Sequence, residues 1–249
     1  MPYSWNIPLD GEKQRELYEV SLGRTSCRRF TAAPSTAQWH ELLTLAEQAQ
    51  GKTSRLPLSM CAPSLFQTLL GRMQGFSNVS RFAGVVALDR QPVSAVHAGF
   101  DAELLGLCMQ RMELGYCWVT GTYRRRESGL KLQGDERLIG VLPFGVPLKT
   151  DAPSQRSRRP VESLCTDDRN AYPLVFRELT LAVRMAPSAM NAQPWRFTLE
   201  NERTLRIAVT LPTQRVDLGI ALCHAELALG ATDHTTTVEE NGLSARIEL

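Results

Sequence analysis

Met185-Ala186-Pro187-Ser188-Ala189-Met190-Asn191-Ala192-Gln193-Pro194-Trp195-Arg196-Phe197 is the stretch whose reading decides the fold. It follows an apolar run with helical periodicity. Pro187 and Pro194 bound a rigid turn, because proline fixes its own φ and pushes the preceding residue out of the helical region. That turn must hold Ser188 and Asn191 in defined positions. Beyond it, Trp195-Arg196-Phe197-Thr198-Leu199 alternates apolar and polar with the two-residue period of a strand. The order is helix, polar loop, strand. On architecture alone such a loop is more often structural than functional.

Its wording is more specific. Ala-Pro-Ser-x-x-Asn-x-Gln-Pro-Trp, residues 186–195, resembles the signature of the FMN-dependent nitroreductase family, in which this loop lines the flavin from the far side of a dimer interface. By that resemblance Pro187, Ser188 and Asn191 are flavin-site residues. In the family the loop belongs near the N-terminus, whereas here it begins past residue 180, so the remaining parts of such a site must lie earlier in the chain.

Composition bounds the reading only loosely. A chain of 249 residues holds one large or two small domains, and 43% hydrophobic with 22% charged residues is ordinary for a globular protein. A net charge of +2 argues against a dedicated nucleic-acid binder. Two basic clusters occur nonetheless, Arg124-Arg125-Arg126 and Arg156-Ser157-Arg158-Arg159, and each reads either as solvated surface or as a local anion site. The six cysteines lack the close pairing of zinc ligands, and no metal site is expected; buried free thiols in a reducing cytoplasm account for them. Met1 to Asn6 shows no basic segment leading into an apolar core, and no run approaches about 18 apolar residues. The expectation is a cytoplasmic protein without membrane partners.

The first part of the chain supplies three further segments. Glu12 to Leu22 patterns as a helix that Gly23 can end, and Arg24-Thr25-Ser26-Cys27-Arg28-Arg29-Phe30 follows. Arginines among hydroxyls suit a solvated connector or a phosphate, which guanidinium groups bind with charge-assisted paired hydrogen bonds. The heptad resembles the family's Arg-Arg-Ser-x-Arg-x-Phe opening. The resemblance implies phosphate and ribityl contacts from Arg24, Thr25, Ser26 and Arg28, with Thr25 standing where a second arginine is usual. Ser35-x-x-Gln38 is a capping box opening another helix, but Gly51 to Pro57 lacks the Pro-Ser-x-x-Asn wording that the family places next. Phe82 to Leu88 reads as a buried strand and Ala98 to Leu114 as an apolar helix stopped by Gly115. Tyr116-Cys117-Trp118-Val119-Thr120-Gly121 resembles the family's Gly-x-Cys-Trp-x-Gly-Gly segment, which implies that Thr120 and Gly121 pass close to the reactive face of the flavin. Arg137 to Pro147 resembles the family's strand and Gly-Tyr-Pro turn, with Val146 in place of the aromatic, and Arg156-Ser157-Arg158-Arg159-Pro160 resembles the family's Lys-Ser-Arg-x-Pro, implying phosphate contacts from Arg156 and Arg158.

The second part echoes the first. Leu43-Thr44-Leu45-Ala46 recurs as Leu179-Thr180-Leu181-Ala182 at an offset of 136, and Val96-His97-Ala98-Gly99-Phe100 as Val216-Asp217-Leu218-Gly219-Ile220 at an offset of 120. The change of 16 marks an insertion or deletion between the landmarks, and the shared order argues for internal duplication. His224, on the alanine- and leucine-rich helix from Asp217 to Leu229, reads as a packed or surface histidine rather than a proton donor. Thr235 to Glu240 and Ala245 to Leu249 form a hairpin around Asn241-Gly242.

The fold expected is α+β, with a mixed, mainly antiparallel sheet flanked by helices. Two fused half-repeats, 1–165 and 166–249, would form a pseudo-dimer with one complementary site. The activity the resemblance implies is an FMN-dependent oxidoreductase moving electrons from NAD(P)H to a nitro, quinone or other electron-poor acceptor. A flavin-binding or interaction protein without turnover, or another FMN reaction, are the alternatives. No side chain need act as a nucleophile, since the flavin carries the chemistry.

Overall fold

The computed structural model describes residues 10–49, 51–148 and 157–249. Arg156 and the N-terminal residues 1–6 fall outside them. Helix α1, Gly11–Gly23, begins where the Asp10 carboxylate accepts the Lys13 amide at 3.0 Å and ends immediately before Arg24. After the short strand β1, Phe30–Ala32, helix α2, Thr36–Ala49, opens with the expected capping box. The Gln38 amide donates to Ser35 Oγ at 3.2 Å and the Ser35 amide to Gln38 Oε1 at 2.9 Å.

Strands β2, Ser54–Arg55, and β3, Leu58–Met60, precede a short helix α3, Leu69–Met73, and the buried strand β4, Arg81–Ala87. Helix α4, Pro92–Arg111, is buried on nearly all sides, as its continuous apolar composition demands. Its stop is not Gly115. The left-handed residue is Glu113, at φ 61°, and the Leu114 amide reaches back to the Met109 carbonyl at 3.0 Å. Gly115 instead begins strand β5, Gly115–Tyr116, where a Cβ would lie 2.5 Å from that of Cys27. It is required by close approach rather than by the helix end. Strand β6, Arg137–Pro147, completes the first sheet.

Helix α5, Leu174–Met185, leads to the proline-bounded loop, strands β7, Arg196–Asn201, and β8, Thr204–Ala208, and helix α6, Arg215–Leu229. Strands β9, Thr235–Val238, and β10, Ser244–Glu248, form the expected hairpin, with Gly242 at φ 64° in its turn. The single mixed sheet read from the sequence is divided in two. One sheet has the order β1-β6-β4-β2, with β3 on β4 and β5 on β6; the other runs β7-β8-β10-β9. Every pairing of these strands is antiparallel. Among the described residues, parallel character is confined to two isolated bridges, Arg29 with Ser77 and Cys165 with Phe197.

The most extensive contact between elements joins α4 to α6. It depends on two glycines. A Cβ on Gly99 would lie 2.5 Å from the Val216 carbonyl, and one on Gly219 would overlap the Val96 carbonyl. Val96 and Gly99 of one helix thus meet Gly219 and Val216 of the other reciprocally, and only hydrogen side chains allow the backbones to come so close.

Candidate functional site

Residues 24–28 leave α1 and run beside the segment that follows α4, where the Cys27 amide donates to the Tyr116 carbonyl at 2.8 Å. This bond brings two of the sequence-predicted segments together. Arg24 is only 4% exposed. Its guanidinium carbon lies 5.7 Å from the Tyr116 ring centroid, and its Nη1 is 3.5 Å from Ser26 Oγ. The Nε atoms of Arg24 and Arg28 are both buried without a hydrogen-bond partner. Arg24 Nε faces only the Glu103 carboxylate at 4.0 Å, beyond hydrogen-bond distance, and buried donors without an acceptor are costly unless a ligand accepts from them.

Beneath Arg24 lies a polar cluster that sequence reasoning did not assemble. Glu103, on α4, is fully buried. Its carboxylate accepts from Tyr116 Oη at 3.0 Å and Trp118 Nε1 at 2.6 Å, and it faces Arg24 Nε at 4.0 Å. His224 Nε2, on α6, is 2.9 Å from Glu103 Oε1, and both side chains are fully buried. His224 is therefore packed, as expected, yet it is also tied to a carboxylate 121 residues away. The overlooked signal was the pair of acids, Asp101 and Glu103, inside a helical run that is largely apolar.

The Trp118 bond fixes the entry to the next turn. Val119 bridges Val141 in both directions, at 3.0 and 2.9 Å, and Thr120 and Gly121 follow. A Cβ built on Gly121 meets nothing within 4 Å. The turn therefore presents an open, side-chain-poor edge.

The proline-bounded loop is held as firmly as its sequence suggests. The Gln193 amide donates to Ser188 Oγ at 2.9 Å, and the Ala189 amide to Asp217 Oδ1 at 3.1 Å. Burial raises the Asp217 carboxyl to about 6, although that amide pulls it down. Met190, Asn191 and Gln193 all have positive φ, an unusual concentration of left-handed non-glycine residues. Arg158 supplies the clamp. Its Nη1 donates to the Ala186 carbonyl at 3.0 Å and Asn191 Oδ1 at 2.8 Å, and its Nη2 to the Met185 carbonyl at 2.8 Å. Asn191 Nδ2 in turn donates to the Ser157 carbonyl at 2.9 Å.

The candidate residues thus fall into two groups. Residues 24–28 are bonded through Cys27 to Tyr116, four residues ahead of Thr120; Arg158 is bonded to the loop that carries Pro187, Ser188 and Asn191. Helix α6 connects them, because Asp217 of the loop contact and His224 of the Glu103 cluster lie about 10 Å apart along its axis. Among the described residues no group of three His, Cys, Asp or Glu could hold a metal ion, and no helix is long and apolar enough to cross a membrane.

A family model described as "Putative TM nitroreductase" matches residues 16–229. The fold is similar to that of a Thermotoga maritima protein described as a "putative nitroreductase", at 22% identity and a TM-score of 0.66, with 94% of this chain and 93% of that chain covered. A Desulfovibrio desulfuricans protein of the same description, in complex with FMN, is 17% identical, with 63% of this chain and 98% of that chain covered and a TM-score of 0.47. An FMN-dependent nitroreductase from Clostridium difficile is 14% identical, with coverages of 55% and 91% and a TM-score of 0.43. No curated protein matches the chain.

Proposed function

Since the chain belongs to this nitroreductase family, we propose that it is an FMN-dependent oxidoreductase passing electrons from NADH or NADPH to a nitro, quinone or other electron-poor acceptor. The observation that carries the reading is the backbone bond from Cys27 to Tyr116, which sets the orphaned Nε donors of Arg24 and Arg28 beside the segment ending in the open edge at Gly121. These residues fit a phosphorylated flavin. Arg24 and Arg28, with the hydroxyls of Thr25 and Ser26, would hold the phosphate and ribityl chain. Thr120 and Gly121 would admit the ring, and Pro187, Ser188 and Asn191 would close the site from the other half. Arg158 would keep that loop in place; Arg156, outside the described residues, is a phosphate contact by the sequence resemblance alone. FMN, when bound, supplies the hydride-accepting chemistry, while the protein binds it, orients it and limits access of water. The test is a fluorescence titration with FMN and riboflavin. Arg28→Ala should weaken FMN by about 1.5–3 kcal/mol, the range for hydrogen bonds to charged groups, and spare riboflavin. Equal, negligible affinity of the unaltered protein for both ligands would reject the reading.

The same proposal makes the chain its own dimer, and three pairs of contacts support it. The parallel bridge Arg29–Ser77 has its counterpart in Cys165–Phe197. The bond between Thr53 Oγ1 and His97 Nδ1, at 2.8 Å, corresponds to that between Ala189 and Asp217. Val96 and Gly99 correspond to Val216 and Gly219, and these pairs touch reciprocally, as equivalent patches do across a two-fold axis. In the first two pairs the first-named residue shifts by 136 and the second by 120; in the third both residues lie on the helices and shift by 120. Cys165 is the partner of Arg29 in this scheme, so the second unit begins ahead of it, and the proposed boundary moves from 165/166 to the segment before Cys165.

A further inference from the structure

The two offsets locate a segment of the first half that has no counterpart in the second. Arg29 to Ser77 spans 48 residues and Cys165 to Phe197 only 32, and the Thr53–His97 and Ala189–Asp217 separations differ by the same 16. The surplus therefore lies between Thr53 and Ser77, in the stretch containing α3. It is bolted to the turn that follows Gly121. Thr68 Oγ1 donates to the Thr122 carbonyl at 2.6 Å, Thr122 Oγ1 to Gln74 Oε1 at 3.0 Å, and the Arg124 amide to the Leu65 carbonyl at 2.8 Å. A Cβ on Gly71 would sit 2.7 Å from the Thr122 carbonyl, so α3 has no room to stand off from this turn.

That docking holds α3, which carries the exposed Arg72, against the turn that leads into the exposed run Arg124-Arg125-Arg126. Arg72, Arg124 and Arg126 enter no ion pair among the described residues, and the neighbouring acid, Glu127, is bonded by Ser64 Oγ at 2.6 Å. Leu69 and Met73, 79% and 77% exposed, add an apolar ledge on the same short helix. Arg124 follows Gly121 by only three residues, within about 10 Å of extended chain. A basic rim with an apolar ledge, one short reach from the open edge where a hydride would be delivered, has the chemistry of a polyphosphate carrying a planar base.

We propose that Arg72 and Arg124 to Arg126, carried by the surplus segment and the turn it grips, form a recognition rim for the nicotinamide dinucleotide and select the 2′-phosphorylated form, NADPH, over NADH. This rests on the oxidoreductase reading and specifies its electron donor. Guanidinium groups match a phosphate monoester with paired charge-assisted hydrogen bonds, and the additional charge of the 2′-phosphate is what a cluster of arginines can distinguish. The reductive step is a hydride passing from the dihydronicotinamide to the bound flavin, which leaves NADP⁺ and reduced flavin.

The experiment is calorimetric titration of 2′,5′-ADP and of 5′-ADP into the protein, with and without added FMN, for the unaltered chain and for the double variant Arg124→Ala/Arg126→Ala. The expected result is tighter binding of 2′,5′-ADP, lost by roughly tenfold per arginine removed, with FMN affinity unchanged. Steady-state kinetics should show the matching fall in the NADPH-to-NADH ratio of kcat/KM, arising in KM. Equal binding of the two nucleotides by the unaltered chain, or discrimination that survives the double variant, overturns the proposal. Failure of the flavin reading is separable, because it appears as absent FMN binding and leaves the nucleotide titration readable.

Discussion

Replacing Arg158 distinguishes a phosphate ligand from a clamp. The resemblance to nitroreductases assigns this arginine to the flavin phosphate, yet its guanidinium bonds the Met185 and Ala186 carbonyls and Asn191 Oδ1. Hydrogen bonds from a charged donor contribute about 1.5–3 kcal/mol each and do not add fully. Arg158→Ala removes these bonds and leaves the last turn of α5 unsatisfied, so a loss of about 3 kcal/mol of stability is expected. The loop carrying Ser188 and Asn191 would loosen, and affinity for FMN and riboflavin should fall together. Arg158→Lys should behave similarly, because an ammonium keeps the charge but cannot reproduce the planar fork. Urea denaturation with parallel fluorescence titrations of both flavins reads all of this. Unchanged stability and riboflavin affinity, with FMN affinity alone reduced, would refute the clamp and restore the phosphate assignment.

Two other perturbations test the buried chemistry. Glu103→Leu strands Tyr116 Oη, Trp118 Nε1 and His224 Nε2 and leaves Arg24 without its counter-charge; it should cost about 3–5 kcal/mol in denaturant melts, and a loss below about 1 kcal/mol would contradict the network. Asp101, which accepts from Ser54 Oγ and from the Gly51 amide, is raised by burial to about 7. A carboxyl whose folded value exceeds its unfolded 3.8 contributes stability that is complete below about pH 4 and lost as pH rises through 7. Asp101→Asn should therefore gain on the unaltered protein between pH 4 and 8, by at most about 4 kcal/mol. His97, lowered by burial to about 4, has the opposite sign, contributing stability that is lost as pH falls from 6.5; a flat difference between the two melts across this range would be inconsistent with a buried, titrating Asp101.

What the sequence revealed, and what it hid, follows from how far apart the interacting groups lie. The capping box of Ser35 and Gln38 and the turn at Gly242 are local arrangements readable from wording alone, as is the Gln193-to-Ser188 bond inside the loop from Pro187 to Pro194, whose other ties, to Arg158 and Asp217, are distant. The helix α4 was legible from its apolar run, but its end was not, because Glu113 takes the left-handed position usually given to glycine while Gly115 answers to Cys27 across the fold. The Glu103 cluster needed His224 from 121 residues away. Arg158 was recognised as part of a basic segment, and its commitment to α5 carbonyls depends on a helix end that sequence does not place in space. The division into two sheets escaped for the same reason, since strand patterning fixes which residues face inward and leaves partner choice to tertiary contacts.

The central claim is a single flavin site completed by the chain's own two halves. Titrating the purified protein with FMN while measuring its mass in solution tests this directly. The account predicts one FMN per polypeptide, retained by the monomer, because only one arrangement of halves combines Arg24, Arg28 and Gly121 with the loop of Ser188 and Asn191. Two flavins per chain, or one flavin held only by a pair of chains, would contradict it.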